Sequence, residues 1–167
     1  MTLSSGPDAP GPNGNGSSSQ SAAQLLRGRH YATPEVVVSY DAPRCIHVRA
    51  CVAGLPQVFD TSARPWIQPQ HAQAALVAEV VSRCPSGALH ALLTATGDAG
   101  VQAEHERPQR PTTVTPLPDG PLAIRGELTI VTPQGEQTEL RATLCRCGSS
   151  SNKPFCDGTH ARVGWRG

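Results

Sequence analysis

The stretch from Cys145 to His160 reads C-R-C-G-S-S-S-N-K-P-F-C-D-G-T-H, and no other part of the chain constrains the fold as much. Three thiols and one imidazole fall within sixteen positions that otherwise hold small or polar residues and a single Phe. Such a segment buries too little apolar surface to order itself, so a metal centre is the natural organiser of its backbone. Composition supports that reading: the 167 residues are 38% hydrophobic and 4% aromatic, with 16 Gly and 16 Pro. This is a poor supply for one large core and favours small modules stapled by metal.

The formal net charge of +1 gives no basic footprint for nucleic acid and no polybasic patch for a membrane surface. No apolar run approaches the roughly 18 residues of a membrane span, and the first residues lack the charged and apolar regions of a secretory signal. Six cysteines in such a chain read as metal or redox ligands before disulfides, and the cytoplasm is the expected compartment. No Gly-rich phosphate loop, Ser/His/Asp set or working pair of carboxylates is visible, so the expectation is a binding protein and not an enzyme.

The chain divides by composition into four segments of an expected α+β protein. Residues 1–34 are rich in Gly, Ser, Pro and Asn and read as a disordered tail. Residues 35–96 read as strand (Val36 to Tyr40), Cys loop, helix (Gln70 to Arg83), Cys-Pro and strand (Ala88 to Leu93). On that helix Leu76, Val80 and Cys84 share one stripe, with Val77 and Val81 beside it. Residues 97–120 form a Pro-rich, extended linker. In 121–167, Ile124, Gly126, Leu128 and Ile130 alternate with polar residues, as do Leu140, Ala142 and Leu144 after a turn at Pro133-Gln134-Gly135. This predicts a hairpin of two half-buried strands that runs directly into Cys145.

Cys145 and Cys147 are one residue apart, and Cys156 and His160 stand at i, i+4 on a short helical turn. Two ligands from each arm suit a rhombic cluster with two irons. A tetrahedral zinc serving a structural interaction module is the competing reading, although zinc motifs usually place two or more residues between paired cysteines. Asp157 reads as a cap or as an acceptor orienting the His160 ring, and backbone N–H groups near Ser150 and Thr159 as donors to sulfur. Lys153 reads as a charge near the cluster or as a plain solvated lysine.

This segment resembles the CDGSH iron–sulfur family, whose pattern is C-x-C-x2-(S/T)-x3-P-x-C-D-G-(S/A/T)-H. Cys145, Cys147, Ser150, Pro154, Cys156, Asp157, Gly158, Thr159 and His160 fill every fixed position. The resemblance implies a 2Fe-2S cluster on Cys145, Cys147, Cys156 and His160, with His160 near solvent. It also leaves open a homodimer around paired clusters. One imidazole in place of a thiolate removes a negative charge and eases reduction. It also supplies a ligand that mild acid releases.

Cys45 and Cys51, with Cys84-Pro85 after a helix, resemble the C-x2-C-x2-C-x3-C-P pattern of bacterial ferredoxins, with Val48 in the middle cysteine's place. Three thiolates fit a 3Fe-4S cluster, or a 4Fe-4S cluster with another fourth ligand. His47, one residue from the vacant slot, is the candidate for that ligand, or else an exposed histidine. The run R-C-I-H-V-R-A-C-V-A-G-L-P-Q-V-F-D, with R-P-W-I-Q-P and C-P-S-G-A-L-H, resembles the divergent 4Fe-4S mono-cluster domain of bacteria. Trp66, Phe59 and Trp165 read as core or capping aromatics. His30, His71, His90 and His105 read as surface histidines, and Arg44, Arg49 and Arg64 as solvated arginines. The expected function is electron transfer with a reductase or acceptor protein. The alternative is cluster storage and transfer to apo acceptors through the labile His160.

Overall fold

The computed structural model of the protein describes residues 25–94 and 106–167. The first module is a three-stranded antiparallel sheet in the order β1-β2-β3, with β1 at Arg29–Ala32, β2 at Val36–Tyr40 and β3 at Leu89–Leu93. A short helix, α1 (Ala50–Gly54), and a longer one, α2 (Ala74–Ser82), cover one face of it. The core beneath them is Val36, Val38, Leu55, Val58, Phe59, Ile67, Val77, Val80, Val81 and Leu89. Each such side chain contributes about 1.5–3 kcal/mol when fully buried. The helix turns Val77, Ala78, Val80 and Val81 inward and leaves Leu76 41% exposed, so the stripe predicted through Leu76 is rotated by about one position.

Order begins earlier than composition suggests. Strand β1 lies inside the segment 1–34 expected to be a tail, and it pairs with β2 from Arg29↔Tyr40 to Ala32↔Val37. It buries only Tyr31, so its sequence carries no apolar alternation to announce a strand. Residues 1–24 and 95–105, which hold most of the expected tail, the start of the expected linker and His105, lie outside the described residues.

The second module is an antiparallel sheet in the order β4-β5-β6, with β4 at Thr113–Pro116, β5 at Leu122–Thr132 and β6 at Gly135–Leu144. Strand β4 falls inside the expected linker 97–120 and pairs with β5 from Thr113↔Arg125 to Pro116↔Leu122. The predicted hairpin is present, with Thr132 opposite Gly135 at its tip and a register shift between Arg125 and Leu128.

The alternation predicted for β6 does not leave its polar residues in water. Glu139, Arg141 and Thr143 are as buried as Leu140 and Ala142, because the first module covers the polar face. Arg44, expected in solvent, is 3% exposed and pairs through Nη1 with Glu139 Oε1 at 2.5 Å. Arg27 reaches the same carboxylate oxygen at 2.9 Å. His90, expected on the surface, is buried with Nδ1 3.2 Å from Glu106 Oε2. Arg141 donates to Glu106 Oε2 at 3.0 Å and to the Leu89 carbonyl at 2.9 Å. All three residues of β3 from Leu89 to Ala91 are buried, since α2 covers one face and this ionic layer covers the other.

Burial drives the His90 pKa down and so favours the neutral imidazole, against the pull of Glu106. Burial also opposes ionisation of Glu106. The His90 hydrogen bond and the Arg141 charge outweigh that and hold its carboxyl at about 2. The modules also meet backbone to backbone. A Cβ on Gly87 would lie 2.4 Å from the Arg141 carbonyl oxygen, and Gly87 sits at φ +66°, so the contact requires glycine.

Removing one partner of a buried ion pair leaves an unmatched charge and costs about 3–5 kcal/mol. Glu139→Ala is therefore expected to lower stability by that order in chemical denaturation. Glu127→Ala, which breaks the exposed Arg110–Glu127 pair, should cost under about 1 kcal/mol. Equal effects of the two substitutions would contradict a buried ionic junction.

Candidate metal centres

The second module builds its ligand loop by extending the β5–β6 hairpin. Leu144 forms a bridge with Phe155, the Cys156 N–H donates to the Thr143 carbonyl at 2.8 Å, and the Cys145 N–H to the Pro154 carbonyl at 2.9 Å. This pairing sets the two ligand arms side by side. Cys145 Sγ and Cys147 Sγ are 3.7 Å apart on one arm. Cys156 Sγ and His160 Nδ1 are 3.2 Å apart on the other, with His160 in the short helix α3 (Thr159–Arg162). A tetrahedral ion with metal–sulfur bonds near 2.3 Å holds two thiolates roughly 3.8 Å apart, so the first pair has the spacing of two ligands on one ion.

The four candidate ligands thus stand as two pairs on adjoining arms, three soft thiols and one imidazole, a donor set suited to an iron–sulfur centre.

Backbone donors surround the sulfurs. The Ser149 N–H points at Cys147 Sγ and the Gly158 N–H at Cys156 Sγ, each at 3.4 Å. Burial opposes ionisation of Cys145, but the Ser150 N–H, the Cys147 thiol and the N–H groups of Gly148 and Cys147 together outweigh it and lower the pKa overall. Cys156, the most buried of the four ligands, has its thiol pushed up by burial, with the charges of Cys145 and Cys147 adding to the shift.

Ser150 is a loop staple. Its hydroxyl donates to the Phe155 carbonyl at 2.6 Å and accepts from the Asn152 N–H at 3.0 Å. Asp157 accepts from the N–H groups of Ser151 and Thr159, both at 3.0 Å, and so ties the loop to the start of α3. Burial opposes its ionisation, but the Thr159 hydroxyl and these N–H donors together outweigh that and hold its carboxyl at about 2. Of the two roles expected for Asp157, the bonds present are those to backbone in the loop and at the start of α3, as a capping side chain makes, and not one to the His160 ring. Lys153 is exposed at the loop tip. Arg146 sits 5.0 Å from the Trp165 ring centre, which closes the chain end onto the module.

The first module brings its three cysteines to one cavity from three elements. Cys45 follows a 3-10 turn at Ala42–Arg44, Cys51 lies in α1, and Cys84 follows the end of α2 with its N–H on the Val81 carbonyl at 3.0 Å. Tyr40, Trp66, Pro85 and Leu89 supply apolar wall. Tyr40 and Trp66 meet edge to face, with ring centres 4.9 Å apart.

Burial pushes the Cys51 thiol up, and the neighbouring Cys84 and Cys45 charges add to that shift. The Tyr40 phenol is raised well above its usual range by burial and by the adjacent Cys45. His47 Nδ1 lies 3.8 Å from Cys45 Sγ, and His47 lines the same cavity at a left-handed backbone position, φ 57°. Three thiols converging on one cavity are a donor set suited to an iron–sulfur centre. Arg49 and Arg64 are exposed, as expected, and His30 and His71 lie at the surface.

The two ligand loops touch. A Cβ on Gly158, between Cys156 and His160, would be 3.6 Å from the Cα and carbonyl oxygen of Ile46, the residue after Cys45. Arg44 lies with its guanidinium carbon 4.2 Å from the centre of the Phe155 ring, so residues adjoining Cys45 and Cys156 stack across the junction.

A fold of two small cysteine-bearing sheets with these donor sets defines an iron–sulfur cluster protein. Residues 31–94 match the family described as divergent 4Fe-4S mono-cluster, and residues 119–161 match the iron-binding zinc finger of CDGSH type. The uncharacterized protein YjdI of Escherichia coli (strain K12) is 37% identical over 67 residues, which are 39% of this chain and 88% of that protein. YjdI of Escherichia coli O157:H7 matches to the same extent. The chain belongs to the divergent 4Fe-4S mono-cluster family and carries a CDGSH-type iron-binding module behind that domain.

Sequence reasoning missed Arg44, His90, Glu106, Glu139 and Arg141, which join the two sites. The one available signal was a charged residue at every second position of a strand otherwise rich in small and apolar residues. Separate ligand sets predict separable losses. Cys84→Ser should remove iron and sulfide belonging to the first module while the second retains its visible spectrum, and Cys156→Ser should do the reverse. Iron and sulfide quantification with visible circular dichroism checks this. Loss of all iron from either variant would contradict two independent sites.

Proposed function

We propose that the protein works in electron transfer without catalysing a reaction of its own, as a ferredoxin-like module and a CDGSH module joined into one redox unit. The observation that carries this reading is the contact between Ile46 and Gly158, which leaves the two ligand loops adjoining with no intervening solvent layer. Bound at Cys145, Cys147, Cys156 and His160, a 2Fe-2S cluster supplies reversible one-electron chemistry. A 3Fe-4S or 4Fe-4S cluster does the same at Cys45, Cys51 and Cys84, with His47 as the nearest candidate for a fourth ligand.

The chain's residues do the rest. Tyr40, Trp66 and Leu89 keep water from the first site, and backbone N–H groups stabilise the sulfur charge at the second. The ionic layer fixes the distance between the two sites. A reductase protein gives the electron and an oxidised acceptor protein takes it. The working compartment in this reading is the cytoplasm. Among the described residues no helix is long and apolar enough to cross a membrane.

A second reading, cluster donation to apo iron–sulfur acceptors, draws on the position of His160 and Cys147. Both are only partly buried, whereas Cys156 is enclosed, so the loop is open on the side where an acceptor thiol would approach. A homodimer formed through that face belongs with this reading. Potentiometric titration followed by EPR separates the two. Electron transfer predicts two reversible one-electron reductions with the iron content unchanged through repeated cycles. Irreversible loss of iron to an added apo-ferredoxin, at a rate exceeding electron exchange, would favour donation.

A further inference from the structure

The two modules exchange arginines. Arg44 belongs to the first module, yet its side chain lies over Phe155 and pairs with Glu139 in the second. In the opposite direction Arg125 leaves β5 and donates from Nη2 to the carbonyl of Ser82 at 3.2 Å, two residues before Cys84. The two contacts differ in charge. Glu139 matches Arg44, whereas the atom that receives Arg125 is a neutral backbone carbonyl. Arg125 is half-buried in the junction. Burial and then the Arg141 charge lower its pKa, while the Cys84 thiolate and Glu106 pull it up. An arginine stays protonated through such a shift. A cation held at a junction of this kind is screened by water and salt much less than one on the surface.

We propose that Arg125, supplied by the second module, is a positioning residue for the first module's site. Its guanidinium, fixed on the Ser82 carbonyl beside Cys84, raises the reduction potential of the cluster that Cys45, Cys51 and Cys84 hold. The proposal rests on the reading that a cluster occupies that site. Reduction adds one electron and makes the cluster more negative, so a fixed positive charge beside one ligand stabilises the reduced form over the oxidised one. Through this charge the second module sets the potential of the first. The YjdI relatives, matched over 88% of their length by the first module, contain little beyond that module's length.

The test is dithionite titration of the full chain, monitored by EPR, with wild type, Arg125→Gln and Arg125→Lys compared. Arg125→Gln is expected to shift the first site's midpoint potential to a more negative value, and Arg125→Lys to keep it near wild type. The potential of the cluster at Cys145, Cys147, Cys156 and His160 should stay unchanged in both. If Arg125→Gln does not fold, Arg125→Met, which keeps the aliphatic stem, is read for the same negative shift. An unmoved first potential in a folded neutral variant overturns the proposal, as does an equal shift of both clusters, which would mark general loosening. A wild-type first module with no reducible cluster would overturn the reading beneath it as well. A reducible cluster with an unmoved potential overturns the proposal alone.

Discussion

The buried pairing of Arg44 with Glu139, backed by the His90–Glu106–Arg141 layer, is the interaction on which the rest of the structure depends. Between the two sheets lies a layer of charged side chains withdrawn from water, with Arg44–Glu139, His90–Glu106 and Arg141–Glu106 as its pairs. Pairs of this kind add little net stability over an apolar contact, but they tolerate no substitute partner. They therefore fix orientation, and a fixed orientation is what two cluster sites in one chain require.

That orientation places function-bearing loops and structural charges in the same few residues. Arg44 adjoins Cys45, and the ring it covers adjoins Cys156, so the junction is built into the ligand loops themselves. Gly87 and Gly158 mark where backbone must pass close to backbone, the first against Arg141 and the second against Ile46. The electron transfer proposed above would need no moving part in this arrangement, only loops that stay where the ionic layer holds them.

Much of each module could be read from the sequence because its signals are local. The β-branched run at Val36 to Tyr40, the apolar period from Val77 to Val81 and the alternation into Cys145 each report on their own element. The candidate ligands Cys145, Cys147, Cys156 and His160 could be singled out for the same reason, since they lie within one loop. The junction was not legible, because its partners are far apart along the chain. Arg44 and Glu139 are 95 residues apart and Arg141 and Leu89 are 52 apart. A glutamate or arginine on the polar half of a strand looks the same whether it faces water or another module. The tertiary contact reversed the expected exposure of Arg44, His90, Glu139 and Arg141 together, for that one reason. Strand β1 escaped notice by a different route: it is an edge strand with one buried side chain and gains its order from pairing with β2.

The central claim is that the two iron–sulfur sites belong to one rigid unit held by the ionic layer. The magnetic coupling between them tests this most directly, measured by EPR in the state where each cluster carries an unpaired electron. A fixed, short separation predicts a resolved spin–spin splitting in the wild-type protein and its collapse in Glu139→Ala with both clusters retained. Two uncoupled signals in the wild type, or a splitting unchanged by Glu139→Ala, would contradict it.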